Sequence, residues 1–261
     1  MSSKVFETKQ SCKAEGEIVE PKGLLMRVGI DQTFGQYNAP INPETNDYLY
    51  MPIPEHKHAF KAGMQTSYAE IAPRFRSWAT KNRFEPEFPA HLQSSNCHLD
   101  PDFCSLTYGD QGTGRGNRVR QLVRGDFLAF FASFKPIRAS SHKLTYAMFG
   151  IMFVDRVVRV ADMLEADFSR NAHSRITDVN PEHLVVFAQP ELSGRFEKAV
   201  PIGEFRSGAY RVTHKILEAW GGLNVKDGFI QRSICPPWFA NSTQFAIWLQ
   251  KQQTKLISNN H

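Results

Sequence analysis

The hydrophobic pattern of the chain opens with an apolar run from Leu24 to Ile30, which ends in a polar, glycine-containing loop at Asp31. A run of this length that stops at turn-forming residues predicts a buried β-strand. A second apolar run, Tyr48 to Ile53, follows the turn signal Asn42-Pro43. We predict that it forms a second strand paired with the first, which Pro52 keeps short because proline lacks a ladder N–H.

Helical spacing replaces this pattern between Ser67 and Asn82. Ser67 is placed as an N-cap and Glu70 follows three residues later, which is the capping-box arrangement. The apolar residues at helical spacing are Ile71, Phe75 and Trp78. The segment therefore predicts an amphipathic helix with Pro73 in its first turns or at a kink.

Two further helices are predicted in the last third of the chain. One runs from Tyr210 to Trp220 and ends at Gly221-Gly222, where glycine permits the left-handed backbone that closes many helices. The other follows a cap at Asn241 or Ser242. It directs Phe245, Trp248 and Leu249 toward the core.

The longest apolar runs lie in the middle of the chain, at residues 124–135 and 144–160, and a shorter one covers Leu184–Ala188. Their aromatic and β-branched residues, with a polar span at 136–143, predict two long antiparallel strands joined by a turn. Together the elements predict an α/β (α+β) fold: a mixed, largely antiparallel central sheet or small barrel flanked by helices. Residues 1–22 are predicted to form an N-terminal arm and residues 23–261 a single domain.

Composition narrows the class of protein. Of 261 residues, 41% are hydrophobic, yet the chain contains no apolar run of the length that spans a membrane and no secretory signal pattern, so a cytoplasmic protein is expected. The net charge of +5 and the pI of about 9.0 are compatible with a polyanionic partner. The four cysteines are too few and too irregular for a disulfide framework.

Asp31 is the first candidate for chemistry. A carboxylate at the C-terminal end of a buried strand is held rigidly while its oxygens face a crevice, which suits water activation or substrate binding. The alternative is that Asp31 only caps the turn that Gly35 permits.

A second candidate segment begins at His98 and contains the acid Asp110. It carries four glycines, which let backbone N–H groups approach a ligand, beside four arginines suited to phosphate. These residues are Gly109, Gly112, Gly114 and Gly116, and Arg115, Arg118, Arg120 and Arg124. The alternative is a flexible loop with solvated arginines. His173 is a further candidate that could donate to a substrate oxygen or phosphate, or simply be a solvated loop residue.

Metal binding is not expected from the spacing of potential ligands. Cys97-His98 and Cys104 could contribute to a site, but no Cys-x-x-Cys or His-Glu-x-x-His pair accompanies them. We therefore predict neither a metal nor another cofactor.

Several motifs resemble those of the nucleotide-modification-associated domain family of the third class, found in bacteria and phages. The matching pieces are Arg27–Asp31, Tyr48–Glu55, Leu99–Phe103, Tyr108–Asp110 and Gly125-Asp126. The resemblance covers most of the chain and implies work on modified bases or their precursors. It implies that Asp31 and Asp110 are active-site acids.

Two narrower similarities concern substrate and reaction. Gly29–Gly35 resembles the first motif of uracil-DNA-glycosylase-like enzymes, with Gln32 in place of proline and without a His-Pro-Ser second motif. This similarity implies a base pocket near Asp31. Its predicted members are Gln32, Phe34, Tyr37 and Asn38. The segment from Gly125-Asp126 to Gly150 resembles PUA-like readers of modified bases.

From these residues we predict a DNA glycosylase that flips a modified base into a pocket near Asp31 and cleaves its N-glycosidic bond, in antiviral defence. Its partner would be DNA, with phosphates held by Arg115, Arg118, Arg120 and His173. The alternatives are a non-catalytic PUA-like reader of modified bases and an enzyme of modified-nucleotide synthesis.

Overall fold

A computed structural model describes residues 20–55, 59–85, 87–138, 143–231 and 235–261. Most of the predicted N-terminal arm and part of the turn between the two long strands lie outside these residues. Among the described helices, none combines the length and the apolar character that a membrane crossing requires.

The described residues form twelve strands and four α-helices. The strands are β1 (Gly23–Arg27), β2 (Pro40–Ile41), β3 (Ile53–Pro54), β4 (Cys97–His98), β5 (Thr107–Asp110), β6 (Phe127–Pro136), β7 (Thr145–Arg159), β8 (Leu184–Ala188), β9 (Gly194–Pro201), β10 (Gly203–Arg206), β11 (Ala209–Val212) and β12 (Leu256–Ile257). The helices are α1 (Tyr68–Lys81), α2 (Ala172–Arg175), α3 (His214–Ala219) and α4 (Ser242–Lys251).

Eight strands share one sheet, whose main path runs β1-β6-β7-β8-β5, with β2, β9 and β12 attached to its sides. The pairs of β6 with β1 and with β2 are parallel, and the other pairs in this sheet are antiparallel. The mixed, largely antiparallel sheet is thus confirmed, as is the antiparallel pairing of the two long strands. The described strands do not close into a barrel.

The sheet is buried on both faces, because alternate residues of β6 enter two different apolar clusters. Leu128, Phe130 and Phe134 face the cluster that contains Phe75 and Trp78 of α1. On the other face, Phe127 and Phe131 join Phe245 and Trp248 of α4. This two-sided burial explains why β6 reads as an unbroken apolar run.

Two predictions of local structure were wrong. The run at Tyr48–Ile53 does not pair with β1, which instead lies parallel to β6; a hydrogen bond from Ile30 N–H to the Met51 carbonyl, 2.8 Å long, joins the two segments. Pro52 of this run cannot donate to a ladder, whereas β6 offers an uninterrupted one. The helix predicted from Tyr210 starts only at His214, because residues 209–212 form a hairpin with β10 and Thr213 caps α3.

The N-terminus of α1 was predicted correctly and supports a stability test. Ser67 Oγ accepts a hydrogen bond from Ala69 N–H at 3.1 Å, and the Glu70 carboxylate accepts one from Ser67 N–H. We expect Ser67→Ala to lower the free energy of unfolding by about 1 kcal/mol in urea denaturation. Ser77→Ala, the same change at an exposed position of α1, is the control. An equal loss in both variants would contradict the capping role.

The last residues of the chain pack back onto the segment that follows β4. Asn260 Oδ1 accepts a hydrogen bond from Phe103 N–H at 2.6 Å, and the Asn260 amide donates to Asp102 Oδ1 at 3.0 Å. The ring of His261 stacks over Tyr50, and burial lowers its pKa to about 3. The tail therefore helps to fix the backbone around Asp102.

Candidate functional site

Asp31 is held by contacts within its own loop. Its Oδ1 accepts hydrogen bonds from the N–H groups of Thr33 and Phe34, at 2.7 and 2.8 Å. Its Oδ2 pairs with Arg27 Nη2 at 2.8 Å. These contacts match the turn-capping alternative, and a catalytic role for Asp31 stays a prediction.

The four predicted base-pocket residues differ in burial. The Asn38 amide is buried and donates to the Ser133 carbonyl at 2.9 Å, while its Oδ1 accepts from Gln32 Nε2 at 3.1 Å. Tyr37 is half-buried, which raises the pKa of its phenol to about 12. Phe34, by contrast, is 57% exposed at the tip of the loop. Asn38 is thus fixed inside the protein, whereas Phe34 lies at its surface.

The predicted phosphate-binding arginines contact the protein itself. Arg118 Nη1 donates to the Pro236 carbonyl at 2.6 Å. Arg120 Nη2 donates to the Gly112 carbonyl at 3.0 Å and pairs with Glu182 at 2.7 Å, while 40% of its side chain stays exposed. The backbone of Arg115 lies in the 3-10 turn Gly114–Asn117, and its side chain is outside the described structure.

The predicted residues separate into two groups at opposite ends of the sheet. Asp31 lies at the carboxyl end of β1, near Ser133 of the parallel strand β6. Asp110 ends β5 and pairs opposite Leu184 of β8, which pairs opposite Arg159 of β7. Arg159 lies beyond Phe153, the partner of Phe127 at the beginning of β6. Six residues of strand separate Phe127 from Ser133, or roughly 20 Å. Asp31 and Asp110 therefore do not form one site, whereas Asp110, Arg120 and His173 all lie around β5 and the start of β8.

Beside β5, three side chains converge that we call the His–Asp centre: His98, Asp100 and His173. One potential ligand atom from each lies within 4.8 Å of the others. His173 Nε2 is 3.8 Å from Asp100 Oδ2, with both side chains less than 10% exposed. The His98 side chain is 17% exposed, so it connects the centre to solvent.

The remaining polar atoms of these three side chains are fixed by separate groups. His98 Nδ1 lies 2.8 Å from Glu55 Oε2, and His173 Nδ1 lies 3.2 Å from His183 Nδ1. His173 therefore faces Asp100 with its Nε2, while the Nδ1 of His98 is turned to Glu55. Asp100 Oδ1 accepts hydrogen bonds from Gly109 N–H at 2.7 Å and from the Asn171 amide at 3.0 Å, and its Oδ2 is the oxygen nearest His173.

Local structure explains this convergence. His98 pairs opposite Ile53 in the β3–β4 ladder, and Asp100 follows two residues later, so the alternation of an extended chain places both on one side. Asn171 caps α2 by accepting from His173 N–H at 2.9 Å while it donates to Asp100. One asparagine thus positions both a histidine and the carboxylate.

Gly109 allows the His173 ring to lie directly on the backbone of β5. A Cβ at this position would be 2.2 Å from His173 Cδ2 and 2.4 Å from Asn171 Oδ1. Such distances do not occur between nonbonded heavy atoms, so a side chain at residue 109 would displace the histidine.

Burial raises the pKa of Asp100 to about 7, against the opposing effects of His98 and of the hydrogen bonds from Gly109 and Asn171. The nearby charge of Asp110 raises it further. A carboxyl group with a strongly shifted pKa, next to two imidazoles, is typical of a functional site.

The sequence analysis identified His173 as a candidate but missed Asp100, Glu55 and His183. It grouped His98 with Cys97 and Cys104, which do not belong to the centre. Cys97 is buried on the other side of the strand, where burial raises the pKa of its thiol to about 12. Cys104 lies against Asn260 instead. The sequence signal for this pair was the alternation His98-Leu99-Asp100, which places His98 and Asp100 on one side of an extended chain. No nearby residue indicates that His173 joins them.

Comparison with known proteins gives one family match. The model of nucleotide modification associated domain 3 matches residues 22–251, which include the Asp31 loop and the His–Asp centre. The searches of curated proteins and of solved structures found no match.

Proposed function

Because this chain belongs to the nucleotide modification associated domain 3 family, we propose that it is a hydrolase that removes a modified base from DNA, with its chemistry at the His–Asp centre. The observation that carries this proposal is the convergence of two imidazoles and a carboxylate, each held from outside by another group. Such a constellation can orient and polarise a water molecule.

In the proposed reaction, the oxygen of that water bonds to C1′ of the sugar while the bond from C1′ to the base nitrogen breaks. The proton released by the water ends on the departing base. A nearby carboxylate stabilises the oxocarbenium-like sugar of the transition state, as in other glycoside hydrolysis. The base must leave the stack to reach a site this deeply placed.

The surroundings of the centre support a nucleic-acid substrate. Arg120 pairs with Glu182, which directly precedes His183, and 40% of the Arg120 side chain is exposed. The net charge of +5 is compatible with a phosphate-bearing ligand. We propose a cytoplasmic role in defence against phages whose DNA carries modified bases.

The test is formation of abasic sites, detected by alkaline strand cleavage, in phage DNA with modified cytosines and in unmodified DNA. We expect abasic sites in modified DNA alone. Asp100→Asn should lower the rate about 100-fold or more, because it removes a group of the centre. Asp227→Asn makes the same chemical change at a surface position whose positive φ suits asparagine, and it should keep the rate.

A further variant, Asp31→Asn, separates the two candidate centres. Loss of activity in Asp31→Asn with full activity in Asp100→Asn would overturn the placement at the His–Asp centre. Tight binding of modified DNA with every base retained would indicate a reader instead. Turnover of free nucleotides alone would indicate an enzyme of modified-nucleotide synthesis, and either result would overturn the proposed reaction.

A further inference from the structure

We infer that the His–Asp centre binds one divalent first-row transition-metal ion through His98 Nε2, His173 Nε2 and Asp100 Oδ2. This inference deepens the proposed function and rests on it for its role in hydrolysis, but metal binding itself is measured without substrate. It replaces our expectation from the sequence that the chain holds no metal.

The first argument is the distance between the facing atoms. His173 Nε2 and Asp100 Oδ2 are 3.8 Å apart, which is too long for a direct hydrogen bond and suits two atoms that share a third. Ligands about 2.1 Å from one ion can be no more than roughly 4.2 Å apart. One ligand atom from each of the three residues lies within 4.8 Å of the others, so the ligands must draw in by a few tenths of an ångström. His98 can supply this movement because it is the most exposed of the three.

The second argument is the outer contacts. A histidine that ligates a metal almost always has its other nitrogen hydrogen-bonded to a carboxylate, a carbonyl or water, which fixes the tautomer and the ring. Glu55 occupies this position for His98. His183 holds His173 in a comparable way, and Gly109 and Asn171 orient Asp100. All three proposed ligands thus have an outer contact, and that of His98 is the carboxylate typical of a metal site.

The ligand types decide the class of metal. Two imidazoles favour zinc, iron and related transition metals, whereas magnesium and calcium prefer sites made of oxygen atoms alone. Three protein ligands leave coordination positions for water or substrate, as in catalytic sites, while structural zinc sites usually have four. A water bound at such a position would have a lowered pKa and could serve as the nucleophile of the proposed hydrolysis.

The experiment is calorimetric titration of the full chain, after removal of metals with a chelator, with Zn²⁺, with Fe²⁺ under anaerobic conditions, and with Mg²⁺. We expect one site per chain for Zn²⁺ or Fe²⁺ and much weaker binding of Mg²⁺. His98→Ala and His173→Ala should weaken binding about 100-fold or more, and Glu55→Gln about 10-fold to 100-fold. His214→Ala, which removes an exposed histidine elsewhere, should bind as the wild type does.

Wild-type affinity in both ligand variants would overturn the inference, and so would failure of the wild type to bind or equal affinity for Mg²⁺. Circular dichroism checks the fold of the alanine variants. Because Glu55→Gln keeps all three ligands, it still tests the site if an alanine variant fails to fold. Base release that persists in chelator, with no metal bound, would overturn the role of the metal in hydrolysis and keep the proposed hydrolase. Metal binding without base release would overturn the reaction and keep the site.

Discussion

Gly109→Ala is expected to weaken binding of a divalent metal at the His–Asp centre by about 10-fold to 100-fold, the range seen when the support of a metal ligand is disturbed. The new methyl group would lie 2.2 Å from the His173 ring, so the ring must leave its position beside Asp100. The same variant should lose base release to a similar extent. Calorimetric titration with Zn²⁺ and the abasic-site assay measure the two effects.

The control for this prediction is Gly63→Ala. Gly63 has a positive φ of 74° and free space around it, so alanine there strains the backbone without touching a neighbouring side chain. We expect it to cost about 1–2 kcal/mol of stability and to leave metal affinity unchanged. Equal metal affinity in Gly109→Ala and in the wild type would show that the position of His173 does not control the centre.

Asp102→Ala is expected to lower the free energy of unfolding by about 3–5 kcal/mol, because it leaves a buried guanidinium without its counter-charge. Asp102 Oδ2 pairs with Arg175 Nη2 at 2.8 Å, and the two side chains are 2% and 11% exposed. Asp102 Oδ1 also accepts hydrogen bonds from Cys104 and Ser105 N–H groups. Urea denaturation measures the loss.

An exposed ion pair provides the comparison. Arg159 and Asp162 make a contact of 2.7 Å with both side chains about half exposed. Asp162→Ala should cost less than about 1 kcal/mol, because solvent screens this pair. If Asp102→Ala were no more destabilising than Asp162→Ala, the buried pair would not be an important support of the segment that carries Asp100.

Features that depend on neighbouring residues were predictable from the sequence. The capping box at Ser67 and Glu70 formed as expected, and α4 is capped by Asn241, one of the two residues predicted for that position. The strand at Leu184–Ala188 also has the predicted bounds. Each of these signals is read within one turn of helix or one run of strand, where propensity and periodicity determine the result.

Features that depend on distant pairing were not predictable. The parallel contact of β1 with β6 joins segments about a hundred residues apart, and the sequence offered Tyr48–Ile53 as a nearer partner. The His–Asp centre has the same origin, because α2 brings His173 to a carboxylate from a remote loop. Local composition alone made the arginines and glycines candidates for phosphate binding. In the structure, Arg118 and Arg120 donate to carbonyl groups of the protein itself.

The contacts of Asn260 bear on where the folding unit should be cut for expression. The family match stops at residue 251, yet Asn260 holds both Phe103 N–H and the Asp102 carboxylate. A fragment that ended at residue 251 would lose strand β12, which pairs with β9. It would also lose the two hydrogen bonds of Asn260, which lie beside the Asp102–Arg175 pair. The range that the family model matches is thus shorter than the part of the chain that keeps Asp100 in place.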